Sequence, residues 1–534
     1  MGKSRSMQCL LGALFGILWL LTAGPATAAT PKDILVMANA IDDIITLDPA
    51  EIFEFSGAEY AANTYDRLLG YDMNHVSNLF GVAAESWTIS SNGKTYTFKM
   101  RPDITFASGN PLTAEDAAFS LQRVVQLGKG PAFILTQFGF TPDNVKDRIR
   151  AVDPLILVIE TDQAYAPTLV LSCLTATVSS VVDKKTVLAH EQDGDLGHTW
   201  LRTHYAGSGP FQLRQWKPNE VLVLDRHEDY WGGSPTMERV ITRHIIEPTT
   251  QRLLLEKGDI DIARKLGPAQ LQGLRNHPDI RLRQMEKGEL YYFSLNQKNR
   301  LLAKPEVRQA FKYLVDYQGI ADTLLQGKAT VHQAFLPNGF LGAVSDTPFF
   351  LDVDKAKVLL AQAGLAKGFT VTMDTRNSAE IMEIAQAVQA TLALAGIQLE
   401  IIPADNKQTL TKYRARRHDI YIGRWGPDYQ DPHSNAKAFA SNPYNAEAAA
   451  VKTLAWRNAW EIPEMTRKTQ AAMMERDAAK RAQRYQDLQR QHQQTSPFVI
   501  MFQEVEVIAE RKNVHGFVVG PAFDDYRYAD VTKE

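Results

Sequence analysis

Apolar and polar positions along this chain alternate in short strand and helix periods from the first third to the last. Ile34-Leu35-Val36-Met37-Ala38 reads as a strand, and Leu47-Asp48-Pro49-Ala50 as a turn after it. Trp87 to Ser90 and Thr95 to Met100 are β-rich runs flanking Ser91-Asn92-Gly93-Lys94, and Asn-Gly in that place predicts a hairpin. Thr113 is placed as the N-cap of a helix with Asp116 at its third position. Further strands are predicted at 155–161, 221–224 and 240–246. The second half changes character. A helix over 305–314 carries Val307, Phe311 and Leu314, with Val315 just beyond, on one face and a proline in its first turn. Asp352 caps another helix, which Gly364 stops. A strand at 369–374, a helix at 379–394 and a strand at 397–402 form a strand–helix–strand unit, hence a parallel sheet. One more strand at 419–424 leads into the loop Trp425-Gly426-Pro427-Asp428-Tyr429-Gln430-Asp431-Pro432. A polar helix at 477–493 precedes two last strands, 498–502 and 505–509. The class is α/β.

Length changes the picture first: 534 residues exceed one core at roughly 100–200 residues per domain, so two or three domains are expected. The N-terminus supplies an address. Lys3 and Arg5 precede an apolar run of 12 residues from Leu10 to Leu21, and Ala26-Thr27-Ala28 follows. That order is a secretory signal peptide over 1–28, and its run falls short of the about 20 residues a spanning helix needs. Secretion to the periplasm follows. Residues 1–28 hold two basic and no acidic residues, so their removal moves the net charge from −3 to −5. A mildly acidic surface gives no support to nucleic-acid binding. Cys173 is then the single cysteine, which excludes an intrachain disulfide and cysteine metal sites.

Catalytic patterns fail one by one. Gly93-Lys94-Thr95 resembles the end of a phosphate loop, but Thr88 stands where that loop needs glycine. Gly207-Ser208-Gly209 resembles a nucleophile elbow, and Pro210 breaks it. His190-Glu191 has Gly194 in place of a second zinc-binding histidine. His433, a lone histidine beside Asp431 on a loop, is expected to be solvated. No enzyme activity, metal or cofactor is expected.

A series of segments, in order along the chain, resembles the periplasmic peptide- and nickel-binding proteins that serve ABC importers, the dipeptide and oligopeptide binders among them. Leu47-Asp48-Pro49-Ala50 and Tyr65-Asp66-Arg67-Leu68-Leu69 come first. Ala84 to Phe106 and Pro111 to Asp116 form the most specific stretch. Gly207-Ser208-Gly209-Pro210-Phe211, Tyr230-Trp231-Gly232-Gly233 and Leu255 to Asp261 follow, then Val307-Arg308-Gln309-Ala310, Ala356 to Gly364 and Trp425 to Pro432. The resemblance implies a two-lobed binder with an extra subdomain in the first lobe, closing on its ligand about a hinge. With the returning strands at the end, it places the first lobe at about 29–60, 200–287 and 498–534, the inserted subdomain at 61–199 and the second lobe at 288–497. It further implies a monomer that delivers its ligand to inner-membrane permease subunits.

Two charged residues stand out by position. Arg376 falls just after the strand at 369–374 and Asp428 just after that at 419–424, and ligands of open α/β sheets collect outside the carboxyl ends of strands. One carboxylate and one guanidinium suit the two ends of a zwitterion such as a free short peptide. The resemblance implies that Asp428, in its Trp-x-x-Asp segment, holds the ligand's α-amino group, that Trp425 lines the cleft, and that Arg376 holds the carboxylate. Tyr429 and Phe53 are further candidates for the cleft wall, with Phe55 beside them; Arg424 is expected to face away from Trp425. The alternatives are a nickel chelate, haem, an opine or a sugar in the same cleft, a secreted hydrolase, or a chaperone-like protein.

Overall fold

The computed structural model describes residues 30–73, 75–449, 451–522 and 524–534; the signal-peptide expectation at 1–28 lies outside them. One mixed sheet runs through the molecule. Its strands follow the order Ile397–Ala404, Phe369–Arg376, Ile420–Trp425, Ile280–Leu295, Phe498–Arg511, Ile262–Ala263, Ile34–Asn39, Arg239–His244, Val221–Arg226 and Phe211–Lys217, with Ala329–Val331 added beside the fifth. The three strands at one end pair in parallel, as the strand–helix–strand reading requires. A separate four-stranded antiparallel sheet is built from Ala84–Ile89, Thr95–Met100, Ile156–Glu160 and Ile149–Asp153.

Apolar side chains gather in distinct clusters around these strands. Leu35, Met37, Phe211 and Val240 belong to one; Phe293, Phe311, Met373 and Val388 to a second at the opposite end of the sheet. Phe98, Leu121, Leu157 and Leu169 form the core on the small sheet. Two long strands, Ile280–Leu295 and Phe498–Arg511, join the two ends of the large sheet. They pair antiparallel from Ile280 with Arg511 to Glu286 with Val505, lose register, and resume from Leu290 with Gln503. Lys287-Gly288-Glu289 occupies the break. A Cβ on Gly288 would come within 3.1 Å of Pro427, so the strand passes directly under the Trp425–Pro432 loop.

The last strand corrects an expectation. The sequence reading divides 498–509 into two strands at Gln503-Glu504; the structure has one, of 14 residues. Buried polar partners explain it. Gln503 bonds the Asn338 amide (2.9 Å), and Glu504 and Glu289 both meet the Arg424 guanidinium. Neither position is the solvent-exposed turn its composition imitates.

Local rules account for the element ends. The Asp116 carboxylate accepts from the Thr113 amide (2.9 Å) and hydroxyl (2.7 Å) at the start of the helix Ala114–Leu127. Gly93, at φ +73°, turns the hairpin, where its backbone conformation favours glycine. Three of the segments that carry the resemblance meet in space. The Asp66 carboxylate accepts from Ser208 Oγ (2.9 Å), Trp231 Nε1 (3.0 Å) and the Tyr230 hydroxyl (3.2 Å). Burial raises its carboxyl to about 6, with those three donors pulling downward. Asp48 is buried in a two-pronged pair with Arg123, at 2.7 and 2.6 Å. Ser208 is therefore a buried structural donor, which disposes of the elbow resemblance. Among the described residues no helix is long and apolar enough to cross a membrane.

Candidate ligand-binding site

Where the two ends of the sheet and the inserted subdomain converge lies a cavity of about 470 Å³, within the range of about 300–1,000 Å³ usual for small-ligand sites. Phe53 and Phe133 reach it from one side; Arg376, Arg414, Trp425, Asp428, Lys437 and Arg457 reach it from the other. Four of the six residues proposed for the cleft from sequence thus share one cavity.

The loop that carries Asp428 is held from several directions. Ser434 Oγ accepts the Asp428 amide (2.8 Å), Asp431 caps the helix Pro432–Ala440 through the His433 amide (2.8 Å), and Asp431 forms a buried two-pronged pair with Arg481 (both 2.7 Å). Asp428 is half-buried, and among the described residues its carboxylate has no hydrogen-bond or ion-pair partner. Although Asp428 follows Gly426-Pro427, where a carboxylate often bonds its own backbone in a turn, its carboxylate makes no such bond. Burial raises its carboxyl to about 7, while Lys437 and Arg457 pull it down. Cys173 and Tyr429 also sense its charge.

Arg376 is the last residue of the strand Phe369–Arg376, one position inside the element rather than beyond it. No carboxylate lies within ion-pair distance among the described residues, and its buried Nε has no acceptor. Trp425 is likewise the last residue of its strand; its Nε1 donates to Asn435 Oδ1 (3.2 Å), and the ring meets Phe439 edge to face (6.3 Å). Arg424 points to Glu289 and Glu504, over the Tyr291 ring, though it also touches the cavity. Phe53 is 44% exposed and stands edge-on to Phe133 of the inserted subdomain (6.2 Å), and Lys437 of the charged wall lies 5.7 Å over the Phe133 ring.

Tyr429 and Phe55 depart from the cleft-wall expectation. Tyr429 is buried in the core of the inserted subdomain, its hydroxyl 3.5 Å from Gln137 Oε1. It lines a second cavity of about 30 Å³ that shares Phe53 and Asp428 with the large one. Its ring gains more from that apolar packing than from the charged wall. Phe55 lines a separate cavity of about 240 Å³ beside Glu59, Arg264 and Lys287. His433 is also a correction: it is buried, and burial holds its imidazole well below the usual range. The helix cap at Asp431 draws it inward. Among the described residues, no cluster of three or more His, Cys, Asp or Glu is placed to hold a metal.

Arg414, Lys437 and Arg457 were not anticipated. Each sits on a helix, where a basic residue ordinarily marks a solvated face. A weak signal exists: none has an acidic residue three or four positions away inside its helix, the usual partner of an exposed helical cation.

A two-lobed molecule that encloses a ligand-sized cavity where its parts meet is a receptor for a solute. The model of the bacterial extracellular solute-binding proteins, family 5, matches residues 78–447, more than half of the chain. The chain belongs to that family; it is a non-enzymatic, solute-binding component of transport. It is 28% identical to the probable D,D-dipeptide-binding periplasmic protein DdpA of Escherichia coli, over 93% of this chain and 94% of that one. The glutathione-binding protein GsiB of Pectobacterium atrosepticum is 24% identical, over 96% and 98%. Among solved structures, the periplasmic binding protein DppA of Helicobacter pylori in complex with the peptide STSA superposes with a TM-score of 0.79. That match has 23% identity and covers 94% of this chain and 98% of that one. It extends the two-lobed fold to this chain.

For a cationic ligand group held at Asp428, binding is expected to depend on pH. Protons compete with any cationic ligand group for the carboxylate, so affinity for such a ligand is expected to fall as pH drops below 7. The slope is about tenfold per unit until the carboxyl of the complex also titrates. The sign for stability is the reverse. A carboxyl raised from about 4 to about 7 by folding binds more protons folded than unfolded. Its contribution therefore weakens as pH rises through that window. Calorimetric titrations between pH 5.5 and 8 check the first statement, and Asp428→Asn should flatten the profile.

Proposed function

We propose that this chain is the periplasmic capture subunit of an ABC importer and that its ligand is a short peptide. The observation that carries this reading is a single half-buried carboxylate, Asp428, sharing a cavity with the unpaired Arg376 guanidinium. A free peptide offers the complement of both groups. Trp425 and Phe53 would cover its body from the two sides, and Tyr429 would brace the loop from behind. Two relatives, the probable D,D-dipeptide binder DdpA and the glutathione binder GsiB, agree in class.

In this reading the first lobe comprises about 29–60, 200–287 and 498–534, the insert 61–199 and the second lobe 288–497. The lobes close about the register break at Lys287-Gly288-Glu289. The chain works as a monomer, without cofactor or nucleic acid, and hands its ligand to inner-membrane permease subunits. Residues 1–28 direct it to the periplasm and are removed.

Mass spectrometry of protein from a periplasmic extract tests both parts. Native spectra should show a bound peptide, and the denatured chain should have the mass expected without residues 1–28. A nickel chelate, haem, an opine or a sugar in place of the peptide would refute the ligand class. A mass that retains residues 1–28 would refute the processing.

A further inference from the structure

The charges around the cavity do not balance. Asp428 is its one acidic lining residue among those described, whereas Arg376, Arg414, Arg424, Lys437, Lys452 and Arg457 all contribute to the wall. Arg424 is neutralised from behind by Glu289 and Glu504. A zwitterion with one ammonium and one carboxylate needs one partner of each sign, and it leaves most of these cations unanswered.

Three of them form a group. Arg376 ends its strand, Arg414 ends the helix Asn406–Arg414, and Arg457 ends the helix Leu454–Arg457. Their charges are close enough that Arg376 and Arg457 both disfavour the charged form of Arg414. Among the described residues none of the three has a carboxylate within ion-pair distance, and the buried Nε atoms of Arg376 and Arg457 have no acceptor. Aromatic rings hold part of the group instead. The Arg457 guanidinium lies 5.4 Å over the Tyr413 ring, and that ring stacks on Tyr421 at 3.9 Å and 8°. Such stacking orients a guanidinium by its face and leaves its N–H edge free for a planar anion. Like charges gathered on one wall repel, and a bound anion is the component that relieves them.

We infer that Arg376, Arg414 and Arg457 form an anion subsite, and that the ligand is an acidic peptide with one ammonium and at least two carboxylates. Asp428 takes the ammonium, and the arginines share the carboxylates. This rests on the proposed peptide reading of the cleft and adds a sign to the ligand's net charge.

The test is a set of calorimetric titrations of the mature chain, freed of co-purified ligand by unfolding and refolding. The probes are the dipeptides Ala-Glu, Ala-Gln and Ala-Lys, nearly matched in size. Ala-Glu is expected to bind at least tenfold more tightly than Ala-Gln, and Ala-Lys more weakly than either. Arg414→Gln, at an exposed position, and Arg457→Gln should each reduce the preference for Ala-Glu over Ala-Gln. Circular dichroism confirms that each variant is folded. Equal binding of Ala-Glu and Ala-Gln would overturn the anion subsite while leaving peptide capture in place. Binding of none of the three, by refolded protein of native spectrum, would overturn both.

Discussion

Asp428→Asn is expected to weaken peptide binding by about 30- to 5,000-fold at pH 8. Truncating one side of a buried, hydrogen-bonded charge pair costs about 2–5 kcal/mol, because the other charge stays buried without a counterpart. Asparagine keeps the size and shape of the side chain, and the loop does not depend on the carboxylate: its amide is held by Ser434 Oγ, and its neighbour Asp431 by Arg481. The loss is therefore one of charge and not of folding. The pH dependence supplies an internal control. The wild-type carboxyl titrates at about 7, so at pH 5.5 the wild type already carries a largely neutral group in the free protein, and the gap between the two proteins should narrow by about thirtyfold. Asp143→Asn, at an exposed carboxylate of the inserted subdomain, should leave affinity unchanged. Arg376→Ala should weaken peptides with a free carboxylate more than amidated ones. A loss below threefold for Asp428→Asn at pH 8 would remove Asp428 from the site.

Asp431→Ala should lower the free energy of unfolding by about 3–5 kcal/mol, the loss usual when one member of a buried pair is removed. Both side chains are 1% exposed, and the guanidinium of Arg481 also donates to Thr168 Oγ1 (2.7 Å) in the inserted subdomain. The variant leaves that guanidinium buried with hydroxyl and carbonyl partners only. It also removes the cap of the helix that presents Ser434 and Lys437, so a fall in affinity should accompany the fall in stability. Asp431→Leu combined with Arg481→Met should recover much of the stability, since an apolar pair of similar volume often replaces a buried ion pair at no net cost. Urea unfolding of the wild type and the two variants measures these differences. A loss under 1 kcal/mol for Asp431→Ala would mean that the pair does not secure the loop.

The parts of this fold visible in sequence are those governed by near neighbours. Thr113 with Asp116, Gly93 in its hairpin, Pro305 in a first turn, and Asp352 with Gly364 each follow rules spanning a few residues, and each stands at the end of an element. The long strands did not show themselves. Lys287, Glu289, Glu504 and Glu506 interrupt the apolar pattern of 280–295 and 498–511, and such residues imitate a loop. They become strand because Arg424, Arg264 and Lys287 meet the carboxylates across the sheet, in pairs 80 to 242 residues apart. The site divides in the same way. Asp428, Trp425 and Arg376 sit at strand ends or just past them, where topology points to a crevice. Arg414 and Arg457 reach the cavity from helices whose placement depends on tertiary packing, and their residue type alone says surface.

The central claim is that both ends of a free peptide are read in this cleft. Its most direct test is calorimetric titration at pH 8 of one peptide in four forms: free, N-acetylated, C-amidated and blocked at both ends. The account predicts tight binding of the free form, a loss of at least thirtyfold on acetylation, a clear loss on amidation as well, and no measurable binding of the doubly blocked form. Equal affinity for the free and doubly blocked peptides would contradict it.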